Sequence, residues 1–444
     1  MKILIYTRRW NKVFFSQLSN LCFADADLYY YSDFKGIGEV WTGDFIYNSV
    51  YDNEKLPIPE LNDIITRCRF LRSIKKSTAE KLCNRLYVGL DRYFREKKFD
   101  YVFMPIIDCY SLDILDRVAK KNHAHVISFV QNFISGYSRF SIRGERVDLH
   151  REISEEEVET VLSTLLDNSY APSFSLNKKV NNIGLLKRCA RNFAKERIYY
   201  PYKKITTRDP YNYHYNTVGS NDFLGITKTI RDAGYKTLAQ IDFQQFNHLV
   251  YLPLHFTPEA TVDYWCDNLL DVNYEDRVLQ LVSQADENTT ILVKEHPAMV
   301  GRRSESFYNR LKECPKAILI HPYESSNLIL EKVDTVIVHT GSVGVEALIR
   351  GKRVLCLTKN YYSDIHPNAI LIDSISAESL SRPIVDYDNR LFIHDLLDGL
   401  FKYKYAAGWD VTEKSDNIEI LAKWCKLLIE NNSHKDDEIE ENNK

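Results

Sequence analysis

The second half of the chain repeats one pattern: a short, wholly apolar run, an amphipathic stretch, then another apolar run. The runs are Leu249–Leu254, Thr290–Val293, Ala317–Ile320, Thr335–Val338 and Val354–Leu357, separated by Tyr274–Ala285, Glu305–Glu313, Ser326–Glu331 and Val343–Arg350. Apolar runs of that length without polar alternation are strands buried on both faces, and strands that alternate with helices make a parallel sheet covered on both sides. The pattern therefore predicts a doubly wound α/β domain. It also says where chemistry belongs, because ligands of such sheets bind beyond the carboxyl ends of the strands.

The first half carries a weaker version of the pattern. Lys2–Tyr6, Tyr101–Met104 and His125–Val130 read as strands, Glu80–Lys97 and Ser111–Lys121 as helices. At 444 residues, two cores are expected rather than one. We place the N-terminal domain at 1–240, with a helical excursion at about 154–200 that opens on a Ser154-Glu155-Glu156-Glu157 cap signature. The C-terminal domain spans 241–410, a last helix 411–432 (its core Asn417–Asn431), and an acidic tail 433–444 is expected to be disordered. The aromatic stretch Tyr199–Asn221 has no clear period and reads either as an interdomain segment or as an ordered loop.

Composition narrows the function classes. Fifty-eight basic against 61 acidic residues leave a net charge of −3, with no footprint for nucleic acid. Nine cysteines are scattered without CxxC spacing, which supports neither a zinc site nor a disulfide framework and suits a reducing compartment. No segment approaches the ~20 apolar residues needed to span a bilayer. The expectation is a cytoplasmic protein, or one peripheral on the cytoplasmic face of the inner membrane.

Three strand ends in the second half carry polar groups. The run Leu292-Val293 ends in Lys294-Glu295-His296-Pro297, where Pro297 fixes its own φ and holds His296 extended, and Arg302 and Arg303 follow within one loop. His-Pro recurs at His321-Pro322 and His366-Pro367, so the dipeptide by itself cannot mark function. The run ending at Val338 passes through His339-Thr340-Gly341-Ser342-Val343-Gly344 into a helix bearing Glu346. Its hydroxyls and glycines suit a phosphate, although the Gly-Lys-Ser/Thr of a P-loop is missing. The third end, Leu254-His255-Phe256-Thr257-Pro258-Glu259, offers His255 and Glu259. In the first half, Asp108 follows a strand and is either a base for an acceptor hydroxyl or a cap for the next helix, and Gln131 and Asn132 follow the strand ending at Val130.

The strings PLHFTPEAT, VKEHP and VHTGSVGVEALIRGKRVL resemble the bacterial capsule polysaccharide biosynthesis family, which includes β-Kdo transferases, and the His-Pro pair is similar to the HP motif of bacterial sialyltransferases. The resemblance covers about residues 249–360. It implies a GT-B fold of two Rossmann-like domains facing a cleft and a CMP-activated acidic sugar donor such as Kdo. No cofactor and no metal are required, and the acceptor is a saccharide or glycolipid. On this sequence it places His296, Thr340 and Ser342 on the donor phosphate and Glu295 and Glu346 on the nucleoside. His255, Glu259, Lys294, Pro297, Arg302 and Gly341 complete the expected donor site. Asp108 and His296 are the expected catalytic pair, and Gln131 and Asn132 the acceptor contacts. A UDP-sugar donor, CDP-polyol transfer and a non-catalytic scaffold in polysaccharide assembly are the competing expectations.

Overall fold

The computed structural model describes residues 1–48, 55–170, 182–216, 234–257, 259–300, 302–403 and 415–442. Two compact units emerge, and they interleave along the chain. The first comprises Met1–Ile153, Lys203–Thr217 and Leu397–Lys444; the second comprises Ser154–Tyr202 and Val218–Leu396.

In the first unit, β1 (Lys2–Tyr6), β2 (Asp27–Ser32), β3 (Val40–Trp41), β4 (Tyr101–Phe103) and β5 (His125–Ile127) form a sheet in the order β3-β2-β1-β4-β5. Every pairing in it is parallel. The chain moves outward from β1 to one side and returns to start β4 on the other, so the topological switch point lies between β1 and β4. The predicted single strand His125–Val130 is broken at Ser128: β5 stays in the parallel sheet, while β6 (Phe129–Gln131) pairs antiparallel with β7 (Tyr137–Phe140).

The second unit contains β8 (His248–Pro253), β9 (Thr289–Lys294), β10 (Ala317–Ile320), β11 (Thr335–Val338), β12 (Arg353–Cys356) and β13 (Ala369–Leu371). They form one sheet, β10-β9-β8-β11-β12-β13, again all parallel. Its strands are apolar on both faces: Val250, Leu252, Ile291, Val293, Ile337 and Leu355 share one buried cluster with Val278, Leu281, Phe307 and Leu311 of the covering helices. The switch point here lies between β8 and β11. Mixed α/β structure with two parallel, doubly wound sheets is the fold class that the sequence predicts, unit by unit.

The segment boundaries differ from the linear division. The excursion does form a capped helix, Glu155–Leu166, with the Ser154 hydroxyl accepting the Glu157 N–H at 3.2 Å. It docks on the second unit, however. The Asn168 carbonyl accepts from Asn327 at 3.0 Å, and Glu159 pairs with Arg390 at 2.8 Å. At the other end, β14 (Phe401–Lys402) adds to β7, and the helix Ser415–Asn442 buries Ile418, Leu421, Cys425 and Leu428 against Ile3, Ile5 and Phe15. The C-terminus therefore completes the first core. Its helix continues through most of the stretch expected to be a disordered tail. Among the described residues no helix is long and apolar enough to cross a membrane.

Candidate functional site

In the second unit the strand ends at the switch point bring the predicted groups together. His255 follows β8, and Thr340 follows β11. The His255 Nε2 lies 2.7 Å from the Thr261 hydroxyl and 3.5 Å from that of Thr340. Thr261 in turn donates to Glu259 Oε2 at 2.7 Å, which makes it the acceptor of the His255 Nε2–H and sets that ring's tautomer. Burial opposes ionisation of Glu259. The hydrogen bond and charge of His255 outweigh it, so this carboxyl sits below its ordinary pKa.

His296 follows β9, the strand next to β8. Its Nδ1 accepts the Ala298 N–H at 3.1 Å, closing the one-turn helix Pro297–Met299. With Nδ1 committed as acceptor, a neutral ring carries its proton on Nε2. Burial, reinforced by His255, pulls the His296 pKa down to about 4. The imidazole is therefore a neutral N–H donor at physiological pH. Lys294 is also buried and shifted down to about 8, with its ammonium 3.1 Å from Ser326 Oγ.

All three His-Pro dipeptides make the same local turn. His321 Nδ1 accepts the Tyr323 N–H at 3.3 Å, and His366 Nδ1 accepts the Asn368 N–H at 3.1 Å. The dipeptide thus specifies a turn, and surroundings decide its use. His366 is buried against Tyr387 and Phe392, and His321 packs between Tyr235 and Tyr323. Of the three, only His296 lies just past the strand that pairs with β8, one of the two strands flanking the switch point.

The fold gives several of the expected site residues protein partners. Glu295 is wholly buried. It accepts from Arg303 Nε at 2.7 Å, the Tyr308 hydroxyl at 2.6 Å and the His296 N–H at 2.6 Å, so its carboxylate holds the His296 turn in place. Arg303, which the sequence offered to a phosphate, is spent on Glu295, on the Thr257 hydroxyl (2.9 Å) and on the His255 carbonyl (2.5 Å). Arg302 lies over the Phe256 ring at 5.6 Å.

The glycine pair also divides. A Cβ on Gly344 would sit 2.2 Å from the Tyr362 hydroxyl, so packing alone requires that glycine; a Cβ on Gly341 would come no nearer than 4.0 Å to His255 Nδ1. Ser342 bonds to Glu346 at 3.3 Å, and burial raises the Glu346 pKa against the opposing influence of Arg350.

His339 reads in sequence as the end of an apolar run. Its ring is buried, lies 5.9 Å from His255 and 6.2 Å from Tyr274, and neither nitrogen has a protein hydrogen-bond partner. Burial holds its pKa at about 3.

The first unit gathers its own charges at its own switch point. Arg8, just past β1, grips Asp108, just past β4, through two bonds of 2.8 and 2.6 Å. Burial works against the charge on Asp108, but Arg8 prevails and lowers its pKa. Asp108 does not cap the next helix, Tyr110–Lys121, whose N-cap is Cys109. Beside this pair, Asp33 accepts from Thr42 at 2.8 Å and from Tyr6, and lies 3.3 Å from His214 Nε2. His214 stacks on Phe34 with ring centroids 4.9 Å apart. Neither Asp33 nor His214 stands in a recognisable motif, and 181 positions separate them. Asn132 is buried and accepts the Ile134 N–H at 3.0 Å in the turn into β7; Gln131 ends β6, partly exposed.

Two doubly wound α/β units, one with histidine, hydroxyl and carboxylate groups assembled at its switch point, define the class. Within it, residues 185–365 match the family described as capsule polysaccharide biosynthesis protein. Among solved structures the chain is similar to KpsC, beta Kdo 2,7 transferase, of Thermosulfurimonas dismutans, at 13% identity and TM-score 0.39 over 96% of this chain and 98% of that one. The beta Kdo 2,4 transferase of the same organism is 15% identical, with TM-score 0.33 over 67% and 79%. UDP-GlcNAc 2-epimerase of Methanocaldococcus jannaschii is 14% identical, with TM-score 0.27 over 88% and 95%. No curated protein matches the chain in sequence.

Proposed function

We propose that the protein is a glycosyltransferase of bacterial surface polysaccharide synthesis. Its donor is a CMP-activated acidic sugar of the Kdo type, bound in the second unit, and its acceptor is a saccharide or glycolipid. The observation that carries this reading is the neutral His296 just past β9, the neighbour of β8, near a switch point flanked by His255 and Thr340. Net transfer forms a bond from an acceptor oxygen to the anomeric carbon and breaks the bond from that carbon to the CMP phosphate. The departing phosphate gains negative charge. A fixed N–H of His296 and the hydroxyls of Thr340 and Ser342 are groups that stabilise such charge without reorganising. Glu346 suits the ribose hydroxyls, and neither a metal nor a cofactor enters the reading.

For the acceptor side, we propose His214, backed by Asp33, in place of Asp108. A carboxylate locked to a guanidinium is a weak base, whereas a histidine oriented by a carboxylate is a common general base.

Thermal shift with CMP, UDP, CDP and GDP tests the donor assignment. Stabilisation by CMP alone supports it. Stabilisation by UDP or CDP alone replaces the donor, and no shift with any nucleotide overturns the enzymatic reading in favour of a scaffold.

A further inference from the structure

One long helical segment of the chain exposes what helices normally bury. Asn182–Ala194 runs through a single π-helical turn, Lys195–Tyr199, into Tyr200–Thr207. Phe193, Ile198, Tyr202 and Ile205 on it are 57%, 68%, 59% and 77% exposed. An α-helix would turn Phe193 and Ile198 to different sides, because five residues overshoot one turn by about 140°. The π turn, in which the Tyr200 N–H reaches the Lys195 carbonyl, spreads five residues over roughly one revolution. It thereby carries Phe193 towards the stripe on which Ile198, Tyr202 and Ile205 follow at intervals of four and three.

The same stretch is strongly basic. Arg191, Lys195, Arg197, Lys203 and Lys204 meet a single acidic residue, Glu196, in a chain whose net charge is −3. Arg191, Lys195 and Arg197 are exposed, and the Arg197 guanidinium lies 6.0 Å from the Phe193 ring. An apolar stripe bordered by cations fits a surface that is apolar inside and anionic at its boundary. That is the composition of helices lying in the plane of an anionic membrane. A protein partner would need acidic groups placed opposite particular cations, whereas a lipid surface supplies them at any register.

We infer that the helical segment from Arg191 to Ile205 docks the protein on anionic lipid, with the stripe Phe193, Ile198, Tyr202 and Ile205 inserted among the headgroups. This stands apart from the donor assignment, since nucleotide binding and lipid binding are read independently.

The test is flotation of the full chain with vesicles of phosphatidylcholine alone and of phosphatidylcholine mixed with phosphatidylglycerol. We expect at least roughly tenfold enrichment on the anionic vesicles, weakening as salt is raised. Ile198→Ser/Ile205→Ser should abolish that enrichment and Lys195→Glu/Arg197→Glu should reduce it severalfold, while the CMP thermal shift stays as in the parent. All four side chains are exposed, so the fold does not depend on them. Failure of the parent protein to float with anionic vesicles overturns the inference. So does retention of binding in the Ile198/Ile205 variant. If sedimentation instead reveals a self-associated parent that this variant dissociates, the stripe binds a second copy and the lipid assignment is wrong.

Discussion

Arg8 and Asp108 close the switch point of the first sheet with two parallel hydrogen bonds of 2.8 and 2.6 Å, between the strand that starts the chain and the strand that reverses its winding. Asp108→Asn would leave the buried guanidinium half-paired, and we expect a loss of about 1–3 kcal/mol in urea unfolding. The turnover of the surviving folded protein should change little. His214→Gln should do the opposite, lowering transfer by ~10²–10⁴ with little change in the unfolding midpoint. A large turnover defect in folded Asp108→Asn would return the base to that carboxylate.

The three His-Pro turns provide an internal control. His296→Ala, His321→Ala and His366→Ala each delete the same Nδ1 acceptor, so each should cost about 0.5–1.5 kcal/mol of stability. His366 adds the loss of its packing against Tyr387 and Phe392. Turnover should separate them: only His296→Ala should reduce kcat, by ~10²–10³. Equal kcat values across the three variants would remove His296 from the chemistry.

The glycines divide stability from binding. Gly344→Ala drives a methyl into the Tyr362 hydroxyl and should destabilise by about 1–3 kcal/mol in thermal or urea unfolding. Gly341→Ala meets no such obstacle, so its Tm should stay near the parent value while nucleotide affinity, read by titration calorimetry, falls. Unchanged affinity would mean that no ligand approaches the backbone there.

Acid should weaken the fold through buried neutral histidines. His296, His339 and His366 are held by burial at about 4, 3 and 4, below the ~6.5 of an unfolded histidine. Between those values the unfolded chain binds more protons than the folded one, so unfolding free energy rises with pH. Their contribution is full above about pH 6.5 and is lost progressively as pH falls towards 4. Urea unfolding at a series of pH values should follow that slope, and His339→Leu, which removes a ring without protein hydrogen-bond partners, should flatten it. An identical slope in the variant would exclude His339 as a contributor.

Much of this was legible in the residues in order. Unbroken apolar runs can be satisfied only by strands covered on both faces, and the rule that ligands sit beyond strand carboxyl ends then pointed to His255, His296 and Thr340 without any tertiary information. What linear order does not show is partnership. Glu295 and Arg303 are a polar strand end and a basic loop in sequence; in the fold their side chains are consumed by each other, wholly buried. Asp33 and His214 lie too far apart in the chain for any motif to join them, and His339 reads as the end of an apolar run.

Order along the chain also hid which core each segment completes. Ser154–Tyr202 joins the second unit and Leu397–Lys444 the first, because burial follows complementary apolar surface and not sequence distance. The sequence by itself determined the kind of sheet and which polar groups stand at the strand carboxyl ends, since both follow from local periodicity. Only the tertiary structure decided which of those groups are taken up by protein partners, because that depends on neighbours brought in from elsewhere in the chain.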